Sequence, residues 1–465
     1  MSWYSPLLKR FVWPVLLSRE GRGSALRHEA QLERSQYWSR QRLLDEQWRR
    51  LQRLLAIASE HSPYYRRVFR ERGLTVDSFK SPEDLTLLPR LTRSEIFTCR
   101  DDLLTGLHAP EQVMKFTTGG TTIRAATLFR DQESYNIKLG LAFRHERWAG
   151  RRPGGRMLLV WHALMDIVEN PPLRTRIKEH ILLGQRMLCA GSHAEEALVA
   201  GHEILCRYRP SLLKVFPNSL APLAEFIKSH SLIVPPIDGL ISTGEPLSAT
   251  RRKLFREVFD CPVFDLYASR EVGHTACECE AHEGRHIAME TSIVEFVGSD
   301  DLPVPPGERG EILVTDLTNT AFPLIRYDIG DKGIALEASC PCGRELVRMG
   351  AAVGRVADEG YRPDGTAYSG LTFAYHVFTR GDIGEVQIIQ RSLDSYQVLV
   401  TREPPPPPQA FEELRAGMRK LLGADVTVAF ELVDEILWER SGKKRYFKCE
   451  LGPEELARVR AGRTS

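Results

Sequence analysis

The chain begins with a long stretch in which apolar side chains return at steps of three and four. Across residues 25–60, Leu44, Leu51 and Leu55 follow this spacing, which predicts one amphipathic helix. Pro63 disfavours helical backbone in the residue before it, so we expect this helix to end there. A second helix is predicted for residues 133–148.

A different pattern of apolar and polar residues begins near residue 155 and continues to about residue 335. Short apolar runs (RMLLVW, SLLKVF and IDGLIST) are separated by the helical stretches HAEEALVAGHEILCRY, LAPLAEFIKSH and SATRRKLFREVF. Strands that alternate with helices predict an α/β domain with a largely parallel sheet. HIAMETSIVEFV and GEILVTDL then predict two consecutive strands joined by a turn-rich segment.

The C-terminal part of the chain has its own pattern. Residues 354–370 are polar and glycine-rich, which predicts a linker. A compact β-β-α-β module of about a hundred residues is expected beyond it. Its predicted elements are strands at 386–391 and 395–401, a helix at 410–422 and a strand at 425–433.

Composition bounds the broad class of the protein. A chain of 465 residues is long enough for two or three domains, and 42% hydrophobic with 27% charged residues is ordinary for a globular protein. The formal net charge of +2 gives no global indication of nucleic acid as a partner. Residues 1–75 contain 15 Lys or Arg against 7 Asp or Glu, an excess of 8, which we interpret as a solvated, arginine-rich helical face. Contact with a membrane surface or a polyanion is the alternative.

Targeting signals and cysteine usage favour the cytoplasm. The apolar run FVWPVLL at 11–17 is much shorter than the roughly 20 residues of a membrane span. It contains a proline and lacks a small-residue cleavage site, so it is a poor signal peptide. Nine scattered cysteines, an odd number, indicate thiols in a reducing compartment rather than a disulfide framework.

The segment KFTTGGTTIRAATLF at 115–129 is typical of a phosphate-binding loop. Consecutive Gly and Thr residues let backbone N–H groups surround phosphate oxygens, and the hydroxyls add further donors. Arg124 could supply the cation and hold phosphate in a forked geometry. The alternative is a Thr/Gly-rich hairpin turn that binds no ligand.

Three further segments place chemistry at strand ends. STGEP at 242–246 is a turn between a strand and a helix, a common place for ligand contacts in α/β domains. In YASRE at 267–271, an aromatic face followed by a carboxylate suits a stacked base above a metal-bound phosphate. Asp331, at a glycine turn, could accept hydrogen bonds from ribose hydroxyls. Each segment could equally be a structural turn.

The cysteines predict a structural zinc site. CECEAHEGRH at 277–286 and CPCG at 340–343 combine thiolates with imidazole, the ligands that select Zn²⁺ in a closed tetrahedral site. We expect the ligands Cys279, His286, Cys340 and Cys342, with Cys277 or His282 as substitutes. The alternative is that these are unligated loop residues.

Lys443 lies on a glycine-led basic segment, SGKKR, near the C-terminus. A mobile loop that brings one lysine to an anionic intermediate is a known catalytic device. A basic, solvated tail is the alternative interpretation.

The order of these motifs resembles one family. TTGGTT, STGEPLS, YASRE, RYDIGD, CPCGR, GRVAD and SGKKR follow one another as in the adenylate-forming superfamily. Within it, the chain resembles the phenylacetate–CoA ligase branch, especially CapK-like and coenzyme F390 synthetase-like proteins. HSPYYRRVF and LPRLTRSEI near the N-terminus are also similar to that branch. The resemblance covers roughly residues 30–450.

The resemblance implies a fold and a domain organisation. We expect an α/β protein with a large N-terminal domain of mixed sheets and helices, and a small mobile C-terminal α+β domain. The expected boundaries are residues 1–353 for the large domain, with a helical N-terminal region at 1–110. A hinge linker at 354–370, containing Asp358, and a lid domain at 371–465 follow.

The resemblance also implies an activity and its residues. ATP and Mg²⁺ would convert a carboxylic acid to an acyl-AMP, and the acyl group would pass to a thiol, usually that of CoA. The implied catalytic residues are Lys443, Glu271 as the Mg²⁺ ligand, and Arg124. The implied nucleotide-binding residues are Thr117, Thr118, Gly119, Gly120, Thr121, Thr122, Ser242, Gly244, Glu245, Pro246, Tyr267, Ala268, Ser269, Asp331 and Arg355.

The sequence departs from the family pattern at several positions. Ile123 and Arg124 replace the usual Gly-Lys of the phosphate loop, Ala268 replaces a Gly, and Arg270 replaces a Ser or Thr. Three functions therefore stay open: an acid–CoA or acid–carrier ligase, a transferase to an amine or hydroxyl, and a catalytically silent nucleotide-binding protein. A carrier protein and a homodimer are expected only as possible partners.

Overall fold

The structure is a computed structural model, and its described residues fall into two compact units. One unit contains the described residues up to 350, and the other contains those from 359 onward. The described residues are 13–117, 127–152, 155–161, 184–189, 195–245, 247–298, 300–337, 339–350, 359–364, 367–369, 386–402, 407, 409–423, 425–434, 436, 447–452 and 455. The predicted domain boundaries, including the hinge at 354–370, stay a prediction.

The predicted single helix over residues 25–60 is wrong, because two helices occupy this region. They are Ala25–Ser35 and Arg40–His61, and Ser39 caps the second by accepting a hydrogen bond from the Arg42 backbone N–H at 3.4 Å. Gln36 lies at the break, where its Oε1 accepts from Trp148 Nε1 at 2.9 Å. Such a distant contact interrupts a helix without disturbing its apolar spacing, so the periodicity could not reveal the break.

The larger unit contains further helices, several of them close to their predicted positions. The helix Gln132–Trp148 begins after Asp131, whose carboxylate accepts from the Ser134 backbone N–H at 2.7 Å. The remaining α-helices are Trp13–Arg19, Pro63–Glu71, Arg93–Thr98, Arg100–Leu103, Glu195–Tyr208, Pro217–Ser229 and Ala249–Phe259. No helix among the described residues is long and apolar enough to cross a membrane.

The strands of the larger unit form a hairpin and one large sheet within the described part of the chain. The hairpin pairs β1, Val113–Thr117, with β2, Thr127–Asp131. The strands of the large sheet are β3 Met157–Trp161, β4 Gln185–Cys189, β5 Leu212–Val215, β6 Gly239–Thr243, β7 Val263–Ser269, β8 Gly273–Glu278, β9 Arg285–Ile287, β10 Ser292–Val297, β11 Arg309–Asp316, β12 Tyr327–Leu336 and β13 Arg348–Met349.

The sheet is mixed, and its parallel part follows the predicted alternation of strands and helices. The strand order is β10-β11-β12-β13-β9-β8-β7-β6-β5-β3-β4. The five adjacent strands β4, β3, β5, β6 and β7 run parallel to one another. The next strand, β8, runs antiparallel to β7. The predicted consecutive strands β10 and β11 pair antiparallel. The predicted mixed α/β fold is therefore confirmed.

The parallel strands are covered on both faces, as their continuous apolar character requires. Leu158, Leu213 and Leu240 pack in one cluster with apolar residues of the helices Glu195–Tyr208, Pro217–Ser229 and Ala249–Phe259; we call this side the back face. Leu212 and Ile241 point the other way and pack in a cluster with Trp148, so we call the side of the helix Gln132–Trp148 the front face.

The smaller unit has the predicted β-β-α-β order. Its four-stranded sheet has the order β18-β17-β16-β19 and packs against the helix Ala410–Leu422. The predicted linker region also contains a short antiparallel strand pair. The strands of this unit are β14 Glu359–Tyr361, β15 Ala367–Ser369, β16 Val386–Gln390, β17 Ser395–Thr401, β18 Thr427–Val433 and β19 Phe447–Cys449.

Candidate functional site

The carboxyl ends of the parallel strands meet at one edge of the large sheet, where ligands bind in open α/β sheets. Trp161 ends β3, Phe216 follows β5, Gly244 follows β6 and Ser269 ends β7. The motifs STGEP and YASRE thus reach the same edge from neighbouring strands. This arrangement follows directly from the parallel register of β5, β6 and β7.

The turn after β6 is closely covered by an aromatic ring. Gly244 has φ +78°, and a Cβ at this position would lie 2.2 Å from the Phe216 ring. Phe216 packs in turn on Trp161, with ring centroids 4.2 Å apart. Glycine is therefore required both for the backbone conformation and for the space.

Ser242 precedes this turn and is fully buried. Within the described part of the chain its Oγ has no hydrogen-bond partner. A buried hydroxyl without a partner costs free energy, so this atom suits a polar ligand group at the strand ends. Glu245 follows Gly244 and is partly exposed.

Tyr267 and Asp331 are brought together from distant parts of the chain. The Tyr267 hydroxyl donates a hydrogen bond to Asp331 Oδ2 at 2.9 Å. A register shift in the pairing of β11 with β12 falls between Asp328 and Lys332, and such bulges redirect side chains next to functional sites. Burial and the neighbouring Asp331 carboxylate hold the pKa of Tyr267 well above its usual value, so the phenol stays a donor.

Glu271 lies just beyond β7 and is fixed through its backbone. Arg130 Nη2 donates to the carbonyl oxygens of Glu271 at 2.9 Å and of Arg270 at 3.4 Å. The Tyr327 hydroxyl lies 3.5 Å from Glu271 Oε1. The carboxylate is partly exposed, and carboxylate oxygens are ligands that Mg²⁺ prefers.

Arg130 is a residue that the sequence reasoning missed. It lies on β2, is 9% exposed, and its guanidinium stacks 4.9 Å from the centre of the Phe116 ring. An arginine inside an apolar strand, in TLFRD, was the available signal, because buried arginines normally have specific partners.

Ser269 and Ala268 lie at the end of β7, beside the turn that leads to Glu271. Ser269 Oγ accepts a hydrogen bond from the Val272 backbone N–H at 3.2 Å, which stabilises the turn that presents Glu271. Ala268 pairs with His274 across β7 and β8. Both residues are partly exposed at the strand ends.

Several predicted site residues lie outside the described residues. The backbone of Thr117 ends β1 opposite Thr127, so the predicted phosphate loop connects the two strands of a hairpin. This pairing is compatible with both a phosphate loop and a turn that binds nothing. The residues outside the described ranges are Thr118, Gly119, Gly120, Thr121, Thr122, Ile123, Arg124, Pro246, Arg355, Asp358 and Lys443.

The four predicted zinc ligands converge at the β8–β9 turn. The ligand atoms of Cys279, His286, Cys340 and Cys342 all lie within 4.8 Å of one another. Cys279 Sγ is 3.6 Å from Cys340 Sγ, and Cys342 Sγ is 3.3 Å from His286 Nε2. Tetrahedral zinc with ordinary bond lengths separates its ligand atoms by roughly 3.5 Å, so the donor set suits this ion.

The surroundings of the cluster give His286 the tautomer and the neutral charge that a metal ligand needs. Its Nδ1 lies 3.3 Å from the Leu346 carbonyl oxygen and donates to it, which leaves Nε2 facing Cys342. Burial lowers the pKa of His286 to about 4, so the ring is neutral near pH 7, as a ligand must be.

The proposed substitutes are not part of this cluster. Cys277 is buried among apolar side chains of the front face. His282 Nδ1 lies 3.2 Å from Glu278 Oε2 instead.

Comparisons with known proteins agree with the motif order. Residues 364–450 match the family described as the CapK C-terminal domain. The chain is 27% identical to phenylacetate–coenzyme A ligase of Thermus thermophilus over 328 residues, which cover 69% of this chain and 72% of the relative. It is 22% identical to protein CapK of Staphylococcus aureus over 411 residues, 87% of this chain and 88% of that protein.

The fold agrees with a solved ligase structure. A crystal structure of 2-hydroxyisobutyryl-CoA ligase, with 2-HIB-AMP and CoA in the thioesterification state, matches with a TM-score of 0.61 and 19% identity. The match covers 93% of this chain and 92% of that one. The predicted resemblance to phenylacetate–CoA ligases and CapK is confirmed.

Proposed function

We propose that this chain, which is similar to phenylacetate–CoA ligases and to CapK, is an enzyme that joins a carboxylic acid to AMP and passes the acyl group to a thiol. The observation that carries the proposal is the hydrogen bond from Tyr267 to Asp331, with the Glu271 carboxylate close enough to act on the Tyr267 hydroxyl. An aromatic ring, a carboxylate acceptor and a second carboxylate thus lie together next to the carboxyl end of β7. These are the groups that a nucleotide needs for its base, its ribose and its metal-bound phosphates.

The first half-reaction requires an attack on phosphorus. A carboxylate oxygen of the acid bonds to the α-phosphorus of ATP, and the bond to the departing pyrophosphate breaks. Negative charge gathers at the α-phosphate during this step, so cationic groups accelerate it. We assign Lys443 and Arg124 to this role, together with the phosphate loop from Thr117 to Thr122.

Asp331 and Tyr267 position the nucleotide. An Asp331 oxygen that does not bond Tyr267 can accept from a ribose hydroxyl, while the Tyr267 ring offers its face to the base. Arg355 assists at the ribose. Ser242 Oγ, which is buried without a partner within the described ranges, can bond a polar group of the adenylate.

Glu271 would hold the magnesium ion. Mg²⁺ supplies countercharge at the phosphates when it is bound. The chain's own contribution is to fix the Glu271 backbone through Arg130 and to leave the carboxylate at the strand ends.

The second half-reaction transfers the acyl group. The sulfur of a thiol attacks the acyl carbonyl carbon, AMP leaves with the former carboxylate oxygen, and the thiol proton goes to solvent. CoA is the proposed thiol, and a carrier-protein thiol is an option of the same chemistry. A homodimer, expected from the resemblance, would be detected by light scattering.

An amine or a hydroxyl is the alternative acceptor class, as the resemblance to CapK-like and coenzyme F390 synthetase-like proteins implies. The match of residues 364–450 to the CapK C-terminal domain covers the whole small sheet. An amine or hydroxyl acceptor would give an amide or ester in place of a thioester. Product formation that does not depend on CoA would favour this acceptor class.

Zinc is proposed as a structural ion at Cys279, His286, Cys340 and Cys342. Four protein ligands leave no open position for substrate, so the ion would link the segment of Cys279 and His286 to the segment of Cys340 and Cys342. A reducing cytoplasm suits this site, because the ligands must stay thiolates.

The test is acid-dependent pyrophosphate release from ATP with Mg²⁺, measured with and without CoA. Lys443→Ala should lower adenylation while ATP binding is nearly intact, and Lys253→Ala, at an exposed helix position, is the matched control. An unchanged adenylation rate in Lys443→Ala would reject the assigned role. Absent pyrophosphate release with every acid, together with absent ATP binding, would reject the proposed function itself.

A further inference from the structure

A cluster of one lysine and two histidines lies on the front face of the sheet, with His145 buried and Lys214 and His274 partly buried. Lys214 Nζ is 3.1 Å from His274 Nε2, and His274 Nδ1 is 3.1 Å from His145 Nδ1. The two imidazole rings are parallel, with centroids 5.3 Å apart. None of these residues belongs to a motif of the proposed nucleotide site.

The hydrogen bonds in the cluster have one direction when Lys214 is charged. An ammonium group only donates, so His274 Nε2 accepts and His274 Nδ1 carries a proton. His274 then donates to His145 Nδ1, which leaves a proton on His145 Nε2. That atom is buried and has no hydrogen-bond partner in the described ranges. The cluster therefore presents N–H donors and lacks an acceptor.

Neighbouring basic side chains have carboxylate partners that Lys214 lacks. Lys138 Nζ lies 3.1 Å from Asp316 Oδ1, and Arg144 Nη1 lies 2.7 Å from Glu290 Oε1. Among the described residues, Lys214 forms no direct ion pair: the Glu146 carboxylate acts on it from further away and is bonded to Arg151. Burial lowers the pKa of Lys214, which means that an anion beside it would stabilise the charged form.

The cluster borders the strand ends of the proposed site. His274 pairs with Ala268, the residue that follows Tyr267. Lys214 pairs with Ile241, the residue that precedes Ser242. Because successive strand residues point to opposite faces, Lys214 lies on the front face whereas Tyr267 lies on the back face. Lys214 and His274 are both only partly buried, so a bound molecule can reach them.

We propose that Lys214, positioned by its hydrogen bond to His274, binds a second carboxylate of the acid substrate, so that the proposed enzyme activates dicarboxylic acids. This inference rests on the proposed function. One carboxylate reacts with ATP at the strand ends, and the other accepts, on the front face, from the ammonium N–H groups of Lys214 that do not bond His274. Such a substrate would give the Lys214 ammonium a directly bonded carboxylate.

The test compares straight-chain diacids with monoacids of the same chain length, and with acids that carry a terminal phosphonate. Wild-type protein should prefer the diacid in kcat/KM for pyrophosphate release by roughly ten- to a hundredfold, the usual range for a hydrogen bond to a charged group. Lys214→Met should remove this preference without changing the KM for ATP. Lys214→Arg should retain part of it, and Lys253→Met, at an exposed position, should retain all of it.

A preference for the phosphonate over the diacid would overturn the carboxylate assignment. An equal loss with monoacids and diacids in Lys214→Met would also overturn the proposal, because it indicates a structural role. Binding supplies a readout that does not need turnover. Calorimetry should detect the diacid with wild type and not with Lys214→Met, and His274→Asn should weaken binding.

The two hypotheses fail in different ways. If monoacids release pyrophosphate while diacids neither bind nor react, the anion site is wrong and the ligase function stands. If no acid releases pyrophosphate but the diacid still binds in a Lys214-dependent manner, the ligase function is wrong and the anion site stands. If diacids bind to neither wild type nor variant, the anion site is rejected whatever the activity.

Discussion

Replacing Gly244 by alanine tests whether the turn after β6 is built around the Phe216 ring. Alanine pays roughly 1–2 kcal/mol for left-handed backbone such as the φ of +78° at this position. Its Cβ would lie 2.2, 2.7 and 3.0 Å from three Phe216 ring atoms. The ring would have to move by about 1 Å to restore ordinary contact, and overpacking of this kind costs about 1–3 kcal/mol.

The expected destabilisation by Gly244→Ala is therefore about 2–5 kcal/mol. Gly307→Ala is the matched control, because Gly307 has φ +87° and its Cβ would meet no atom of the described residues within 4 Å. That control should lose only about 1–2 kcal/mol. Urea unfolding followed by tryptophan fluorescence and circular dichroism gives both free energies of unfolding.

A double variant isolates the steric part. In a Phe216→Ala background, Gly244→Ala should cost no more than Gly307→Ala does in wild type, because the clash is gone. If Gly244→Ala and Gly307→Ala differ by less than about 0.5 kcal/mol in wild type, the close packing of Phe216 on Gly244 is refuted.

Three further predictions concern the metal, the nucleotide and the effect of pH. Purified protein should contain about one zinc per chain. Cys279→Ser should lose the zinc and have a lower Tm, whereas the control Cys206→Ser should keep the zinc. Equal zinc content in the two variants would contradict the site. Asp331→Asn should raise the KM for ATP roughly ten- to a hundredfold and leave the KM for CoA unchanged; an unaltered KM for ATP would remove Asp331 from the ribose site. Burial holds the pKa values of His145 and His274 well below 6.5, so the unfolded chain binds up to two more protons and stability rises as pH increases from 5 to 7. The pair should add up to about 2.7 kcal/mol per pH unit to the slope of the unfolding free energy against pH at the acid end, and His274→Asn should reduce that slope. Unfolding free energies that do not change with pH in either protein would contradict this prediction.

The fold was predictable where local pattern and long-range packing agree. The apolar runs that became β3, β5 and β6 lie in parallel strands, and the helix predicted at 133–148 begins within one residue of that position. The break after Ser35 could not be predicted, because it depends on hydrogen bonds that Gln36 accepts from residues far along the chain. Periodicity reports which face is apolar, not where a distant side chain interrupts a helix.

The candidate site was predictable in its parts but not in its internal contacts. Cys and His residues in two loops of the sequence were predicted as zinc ligands, and the fold brings these four side chains together. The contact of Arg130 with the Glu271 turn and the cluster around Lys214 could not be predicted, since their members come from β2, the turn after β7, β5, β8 and a helix. No short motif records a contact between strands that are so far apart in the chain.

The most direct test of the account is pyrophosphate release from ATP and Mg²⁺ by the purified protein, against acids of several classes, with and without CoA. The account predicts release that depends on one class of carboxylic acid, followed by a thioester that forms only when CoA is present. No release with any acid, in folded protein that also fails to bind ATP, would contradict its central claim.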